Sequence, residues 1–173
     1  MSPEWKPDPV RRIITGHDAK NVAKVMIDDA APTVRNNKKG SGSTLIWCSD
    51  SMPIDMAAGE SFEDMGTRVL GTYPPVNGTR FMVMQIEPGQ PGVMHRTETV
   101  DYIAVLEGEI DMDMDDSSVT LKAGDCMVQR GTNHSWVNRG TKTCKMAFVL
   151  IDAKPLGIGH AVQRGAVAGE NKS

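Results

Sequence analysis

From Arg80 onward the apolar and polar positions follow the two-residue period of β-strands. Arg80-Phe-Met-Val-Met-Gln-Ile86 reads as a buried strand, closed by the turn-rich run Glu87-Pro-Gly-Gln-Pro-Gly92. His95 to Leu106 follows, with Glu107-Gly108 as a turn. Glu109-Ile-Asp-Met-Asp-Met-Asp115 alternates acid and apolar residues, which gives a strand with one wet and one dry face. Short strands are predicted over Val119–Lys122, Cys126–Gln129, His134–Asn138 and Lys145–Asp152. Asp115-Asp-Ser-Ser118, Ala123-Gly-Asp125 and Arg130-Gly-Thr-Asn133 are the turns between them. Closely spaced turns with almost no helical pattern predict an all-β sandwich or barrel.

The first third is less regular. Residues 1–9 hold three prolines and read as an extended arm, a natural element for wrapping a partner subunit. Val10–Thr15 reads as a strand, and Val22–Ile27 as a strand or short helix. Asn36–Ser43 is a polar, glycine-rich loop, and Ser43–Cys48 an apolar strand carrying Trp47. Ser51–Thr72 is the expected pocket-covering loop or short helix. The segment from Gly157 is polar and glycine-rich, and is expected to be loose. The resulting division is 1–9 arm, 10–79 strands and covering segment, 80–152 barrel core and 153–173 tail, all within one structural domain.

With 173 residues the chain can bury a core as a single domain. A net charge of −3 argues against a nucleic-acid-binding face. No window is apolar enough for a membrane span, and the first residues lack the apolar stretch of a secretory signal. Cys48, Cys126 and Cys144 are odd in number and widely spaced, so reduced thiols and a cytoplasmic location are expected. The sequons at Asn77, Asn133 and Asn171 are then chance matches. Asp111 onward looks superficially like a calcium loop. It lacks the required glycine, however, and has Lys122 where the twelfth-position glutamate belongs.

Candidate chemistry rests on strand geometry. His95, Thr97, Thr99 and Asp101 are two residues apart and share a face if the strand is unbroken, with Arg96, Glu98 and Val100 on the other. His134, Trp136 and Asn138 share a face by the same rule. Trp136 and Trp47 can wall a ligand pocket or simply fill a core. Gln85, the polar residue within an apolar strand, faces either a cavity or a wet edge. Tyr102 should face outward. Arg130, His17 and His160 read as structural or surface residues. The methionines in the 52–65 and 82–94 stretches fit adaptable packing around a pocket.

Two motifs carry a family resemblance. Gly92-Val-Met-His95-Arg-Thr97-Glu-Thr-Val-Asp101, with Gly108 following, resembles the first cupin motif. Gly124-Asp125-Cys-Met-Val-Gln129-Arg-Gly131-Thr-Asn-His134-Ser-Trp-Val-Asn138 resembles the second. The resemblance implies a cupin barrel, that is, a double-stranded β-helix or jelly roll, with an N-terminal extension and few short helices. Thr97 stands where the family's second histidine is usual, Asp101 where it has glutamate, and Gln129 where it has proline. Matched position by position, His95, Asp101 and His134 would be both the catalytic set and the ligands of one divalent transition metal, Zn, Mn, Fe or Ni. Without metal the same three residues still form an acid–base set. The particular pattern is similar to a branch of single-domain cupins, some encoded near genes for polyketide-type metabolites.

The resemblance thus implies a small organic substrate contacted by Thr97, Gln85, Trp136 and Trp47, with no organic cofactor. The expected activity is that of a lyase, a decarboxylase or dehydratase. A non-haem iron dioxygenase is the alternative enzyme, and a barrel that binds small molecules without turnover is the alternative outside catalysis. Open sheet edges make a homodimer the expected assembly.

Overall fold

The computed structural model describes residues 5–36, 40–56 and 61–168. The strands are β1 Arg11–His17, β2 Ala23–Ala30, β3 Val34–Asn36, β4 Ser41–Ser49, β5 Thr79–Ile86, β6 Thr99–Glu107, β7 Glu109–Asp113, β8 Ser118–Lys122, β9 Cys126–Arg130, β10 Ser135–Val137 and β11 Cys144–Asp152. A single 3-10 turn, Met65–Thr67, is the helical element among the described residues. None of their helices is long and apolar enough to cross a membrane. The expected all-β barrel is thus present.

Six strands form one antiparallel sheet in the order β3-β4-β5-β11-β6-β9, and β10-β7-β8 form a second. Their inner faces close on a shared core. Met82, Ile86, Ile103, Val105, Met146, Phe148 and Leu150 come from the large sheet; Ile110, Met112, Leu121 and Trp136 come from the small one. Burying these side chains is the main drive for closure, at about 1.5–3 kcal/mol for each large apolar side chain. At the β6–β7 turn Gly108 has φ +74°, a conformation that disfavours a side chain.

The strand-or-helix ambiguity at 22–27 resolves as strand. β2 pairs with β1 in a separate ribbon. Ribbon and barrel are joined by buried Arg12, whose guanidinium bonds Asp29 at 2.8 Å and Asp64 at 2.6 Å. Asp64 also accepts from the Gly66 amide and so caps the 3-10 turn.

Three expectations need correction. Residues 5–8 of the arm lie on their own sheet: Asn36 donates to the Trp5 carbonyl, and Gln85 exchanges two hydrogen bonds with the Asp8 backbone. Residues 1–4, and with them the start of the arm, lie outside the described residues. The polar loop at 36–43 is shorter than expected, because β4 begins at Ser41; residues 37–39 are outside the description. The tail is held down as far as residue 168. Leu156 N donates to Glu98, Val162 N to the Arg96 carbonyl, and Ala168 N to Thr72 Oγ1, while the Arg164 guanidinium covers the Tyr73 ring at 4.6 Å. Asn171 lies beyond the described residues.

Candidate active site

A cavity of about 370 Å³ opens between the inner face of β5 and the segment 90–95. Its apolar walls include Met82, Met84, Trp136, Phe148 and Leu150. Its polar groups include His95, Thr97, Asp101, His134, Arg80 and Arg35. Gly92 brings the 90–95 segment close: a Cβ there would lie 1.8 Å from Ser135 Oγ. Thr72, Val167 and Ala168 complete the rim. The covering role expected of 51–72 therefore falls to its last residue and the tail. Met52 and Met56 are exposed, and residues 57–60 are outside the description.

His95 and His134 face each other across an isolated β-bridge, each amide bonding the other's carbonyl at 2.9 and 2.8 Å. Directly paired residues project to the same side, and the two rings lie 4.4 Å apart. His95 Nδ1 is 2.8 Å from the Val93 carbonyl, and His134 Nδ1 is 3.0 Å from the Thr132 carbonyl. A carbonyl can only accept, so each Nδ1 carries the proton and each Nε2 keeps its lone pair. Gln129 lies 2.6 Å from His134 Nδ1 with its amide nitrogen, while its Oε1 is buried without a partner. Turning that amide over lets Oε1 accept from Nδ1, which fits the same tautomer. Burial holds the His95 pKa below the ordinary imidazole value. Burial and the neighbouring His95 push His134 down to about 4. Both rings are neutral at neutral pH.

Asp101 is buried, and its Oδ1 has no hydrogen-bond partner. Burial raises its pKa to about 6, with a hydrogen bond from Thr99 pulling the other way. Thr97 and Thr99 hydroxyls are 2.7 Å apart.

The unbroken strand expected over His95–Asp101 is interrupted, because β6 starts only at Thr99. His95, Thr97 and Asp101 still reach one cavity, whereas Arg96 and Glu98 pair with each other beneath the tail. No three His, Cys, Asp or Glu side chains among the described residues are grouped to hold a metal ion. The imidazole pair offers two nitrogen donors, and Asp101 does not join them as the expected third ligand. The donor set therefore does not fit the three-ligand metal site.

Of the expected substrate contacts, Thr97 and Trp136 line the cavity, and Trp136 meets the His134 ring edge-on at 5.9 Å. Gln85 does not. It alternates with Met84 and Ile86 and so faces outward, onto the arm. Trp47 does not either. A bulge between Leu45 and Trp47 shifts the strand by one residue and turns Trp47 to the outer face, against Phe62. Cys48 and Cys144 are buried and Cys126 is exposed; all three are free thiols.

Sequence reasoning missed the two arginines. Arg80 shares the parity of Met82 and Met84, which was the available signal. It is 5% exposed, its Nε has no partner, and burial, then the nearby Arg35, lower its pKa to about 10.

A family model described as a cupin domain matches residues 82–151. Phomopsin biosynthesis cluster protein C' of Diaporthe leptostromiformis is 37% identical over 164 residues, covering 91% of this chain and 85% of that one. Oryzines biosynthesis cluster protein J of Aspergillus oryzae is 30% identical, covering 98% and 97%. The cupin-domain-containing oxidoreductase fogC of Aspergillus ruber is 27% identical, covering 90% and 79%. Likeness of this extent, added to the two-sheet barrel and its paired histidines, means that the chain belongs to the cupin superfamily.

Proposed function

We propose that this protein is an enzyme acting on a small organic metabolite, with lyase-type proton transfer between Asp101 and the His95–His134 pair. One observation carries the reading. A buried carboxyl with an unpartnered Oδ1 shares a cavity with two imidazoles whose Nδ1 protons are tied to backbone carbonyls. Burial raises Asp101 to about 6, so a protonated fraction is present near neutral pH to act as the acid, and it keeps the imidazoles neutral with Nε2 free to act as the base. In a dehydration the imidazole takes a proton from carbon, and the C–H electron pair becomes the new double bond. The C–O bond breaks, and Asp101 supplies the proton with which hydroxide leaves as water. Exchange with solvent resets both groups. In a decarboxylation the same acid would protonate the carbon left by CO₂. Trp136 and Phe148 offer faces for an apolar or aromatic body.

Oxidation is the second reading. Related chains carry the name cupin-domain-containing oxidoreductase. Imidazoles with Nδ1 fixed by carbonyls and a basic Nε2 also suit a divalent Zn, Mn, Fe or Ni ion. Such an ion would be held by His95 and His134 and would supply Lewis-acid or, for iron, dioxygenase chemistry. A small-molecule-binding barrel without turnover is the third.

We propose that the expected homodimer would form on an apolar row of the outer face: Trp47, Phe81, Val149, Tyr102 and Val128, paired in register across five strands. Tyr102 and Val128 are 52% and 58% exposed there.

The test is a panel of hydroxylated aromatic and aliphatic acids incubated in D₂O or under ¹⁸O₂ and read by mass spectrometry. Lyase action gives loss of water or CO₂, with deuterium at carbon in the decarboxylated product. It is lost in Asp101→Asn and in His95→Ala, His134→Ala. Incorporated ¹⁸O would move the assignment to dioxygenase, and unchanged compounds that nevertheless bind would move it to a binding barrel.

A further inference from the structure

Arg80 is the anomaly among the buried arginines. Arg12 is clamped by two carboxylates, and Arg96 pairs with Glu98 at 2.8 Å. Arg80 is as deeply buried as either, yet it has no carboxylate partner among the described residues. Its Nη1 donates to the Gly71 and Thr72 carbonyls, and its Nε has nothing. Arg35 stands at the same cavity. It bonds the Leu70 carbonyl and likewise has no acid paired with it among the described residues. Two like charges at one buried site repel each other, and a buried charge without a counter-ion is costly. Such a pair is stable when something anionic neutralises it.

Register fixes where this positive end lies. Arg80 pairs with Leu150, which pairs with Asp101 on its other side. The two charged residues therefore flank one strand, with backbones about 10 Å apart at two strand spacings. Leu150 lies between them in register, and Met82, Phe148 and Trp136 line the same cavity. A ligand filling the space is anionic at one end and apolar in the body, and meets the acid–base groups at the other end.

We propose that Arg80 and Arg35 form a carboxylate-binding subsite, so that the ligand of this cavity is an organic acid anchored by its carboxylate. The inference deepens the proposed function and rests on it for the reacting end alone. A guanidinium presents parallel N–H donors that match a carboxylate. Ion pairing stabilises the anchored carboxylate as it stands, so that group is a handle and not the one expelled. Dehydration of a hydroxy acid then ranks above decarboxylation at that carboxylate.

The plain rival is that both arginines only hold the carbonyls of residues 70–72. Binding separates the two. The probes are benzoate, its uncharged analogue benzamide and inorganic phosphate, titrated into the full chain by calorimetry or ligand-observed NMR. Wild-type protein should bind benzoate more tightly than benzamide or phosphate. Arg80→Gln and Arg35→Gln should each weaken benzoate about ten-fold or more, the loss of a charge-assisted bond, while benzamide is unchanged. Tyr102→Ala, on the exposed outer face, should bind benzoate normally. Arg35 lies on an edge strand and carries the test if Arg80→Gln does not fold. Equal binding of benzoate and benzamide, or benzoate binding untouched by the arginine variants, would overturn the subsite. Phosphate bound as tightly as benzoate would overturn the organic-acid assignment. Binding through Arg80 without any turnover would instead refute the acid–base reading and leave the subsite standing.

Discussion

Arg80 and Asp101 are both paired to Leu150, one through β5 and the other through β6, and both side chains enter the same cavity. A cation and a carboxylate on neighbouring sides of one strand would ordinarily pair. Here they make no salt bridge, and each keeps a buried atom unsatisfied. This separation gives the site its polarity and sets up the predictions below.

Asp101 should cost stability at neutral pH. Its folded pKa of about 6 lies above the ordinary 3.8. A raised value favours the fold below pH 3.8, and that advantage is lost as pH rises through about 6. His134 works in the opposite sense: lowered from 6.5 to about 4, it favours the fold above 6.5 and loses that advantage as pH falls toward 4. The two largely offset in between. In chelator-treated protein Asp101→Asn should be more stable than wild type at pH 7.5, by roughly 2–3 kcal/mol. The gain should vanish near pH 4, where the variant shows the His134 decline uncovered. Urea unfolding at the two pH values checks this.

How much of this was legible in the sequence differs by residue. Even spacing put His95, Thr97 and Asp101 on one face and the likeness to the two cupin motifs added His134; all four line one cavity. Spacing could not show that β6 begins only at Thr99, nor that no three His, Cys, Asp or Glu side chains among the described residues are grouped to hold a metal. Gln85 was readable: alternation from Met82 and Met84 puts it outside, and only its polarity pointed inward. Trp47 was not, because the bulge beside it leaves no mark in the pattern. Arg80 was readable from the same parity as Met82. Arg35 was hidden in a three-residue edge strand too short to show a period.

Metal should be loosely held. With two imidazole donors and no third protein ligand grouped with them among the described residues, elemental analysis should find metal that mild chelation removes, leaving the far-ultraviolet circular dichroism spectrum unchanged. His95→Ala with His134→Ala should abolish what binding there is. An equivalent that survives chelation would mean that Asp101 moves to join the pair.

Arg12 should matter for stability and not for ligand binding. Its guanidinium satisfies Asp29 and Asp64 at once and ties the β1–β2 ribbon to the barrel. Arg12→Ala leaves both carboxylates unpaired and should cost about 2 kcal/mol, less than for a fully buried pair because Asp29 is half exposed. Lysine cannot fork between two acids and should not restore it. Thermal melts alongside benzoate titration separate the two effects.

Tyr102 tests the assembly. Placing a charge in the outer apolar row, as Tyr102→Glu, should convert the homodimer to monomer in sedimentation velocity while the cavity still binds benzoate. A wild-type protein that sediments as a monomer would remove the interface from the account.

Direct titration of the site bears most closely on the acid–base assignment. Carboxyl ¹³C and imidazole ¹⁵N NMR of chelator-treated protein, followed from pH 3.5 to 8, reads Asp101, His95 and His134 individually. The account predicts that Asp101 titrates near pH 6, that His134 stays neutral until about pH 4, and that both neutral rings carry their proton on Nδ1. A carboxyl already ionised at pH 4, or a His134 imidazole charged at pH 6, would contradict it.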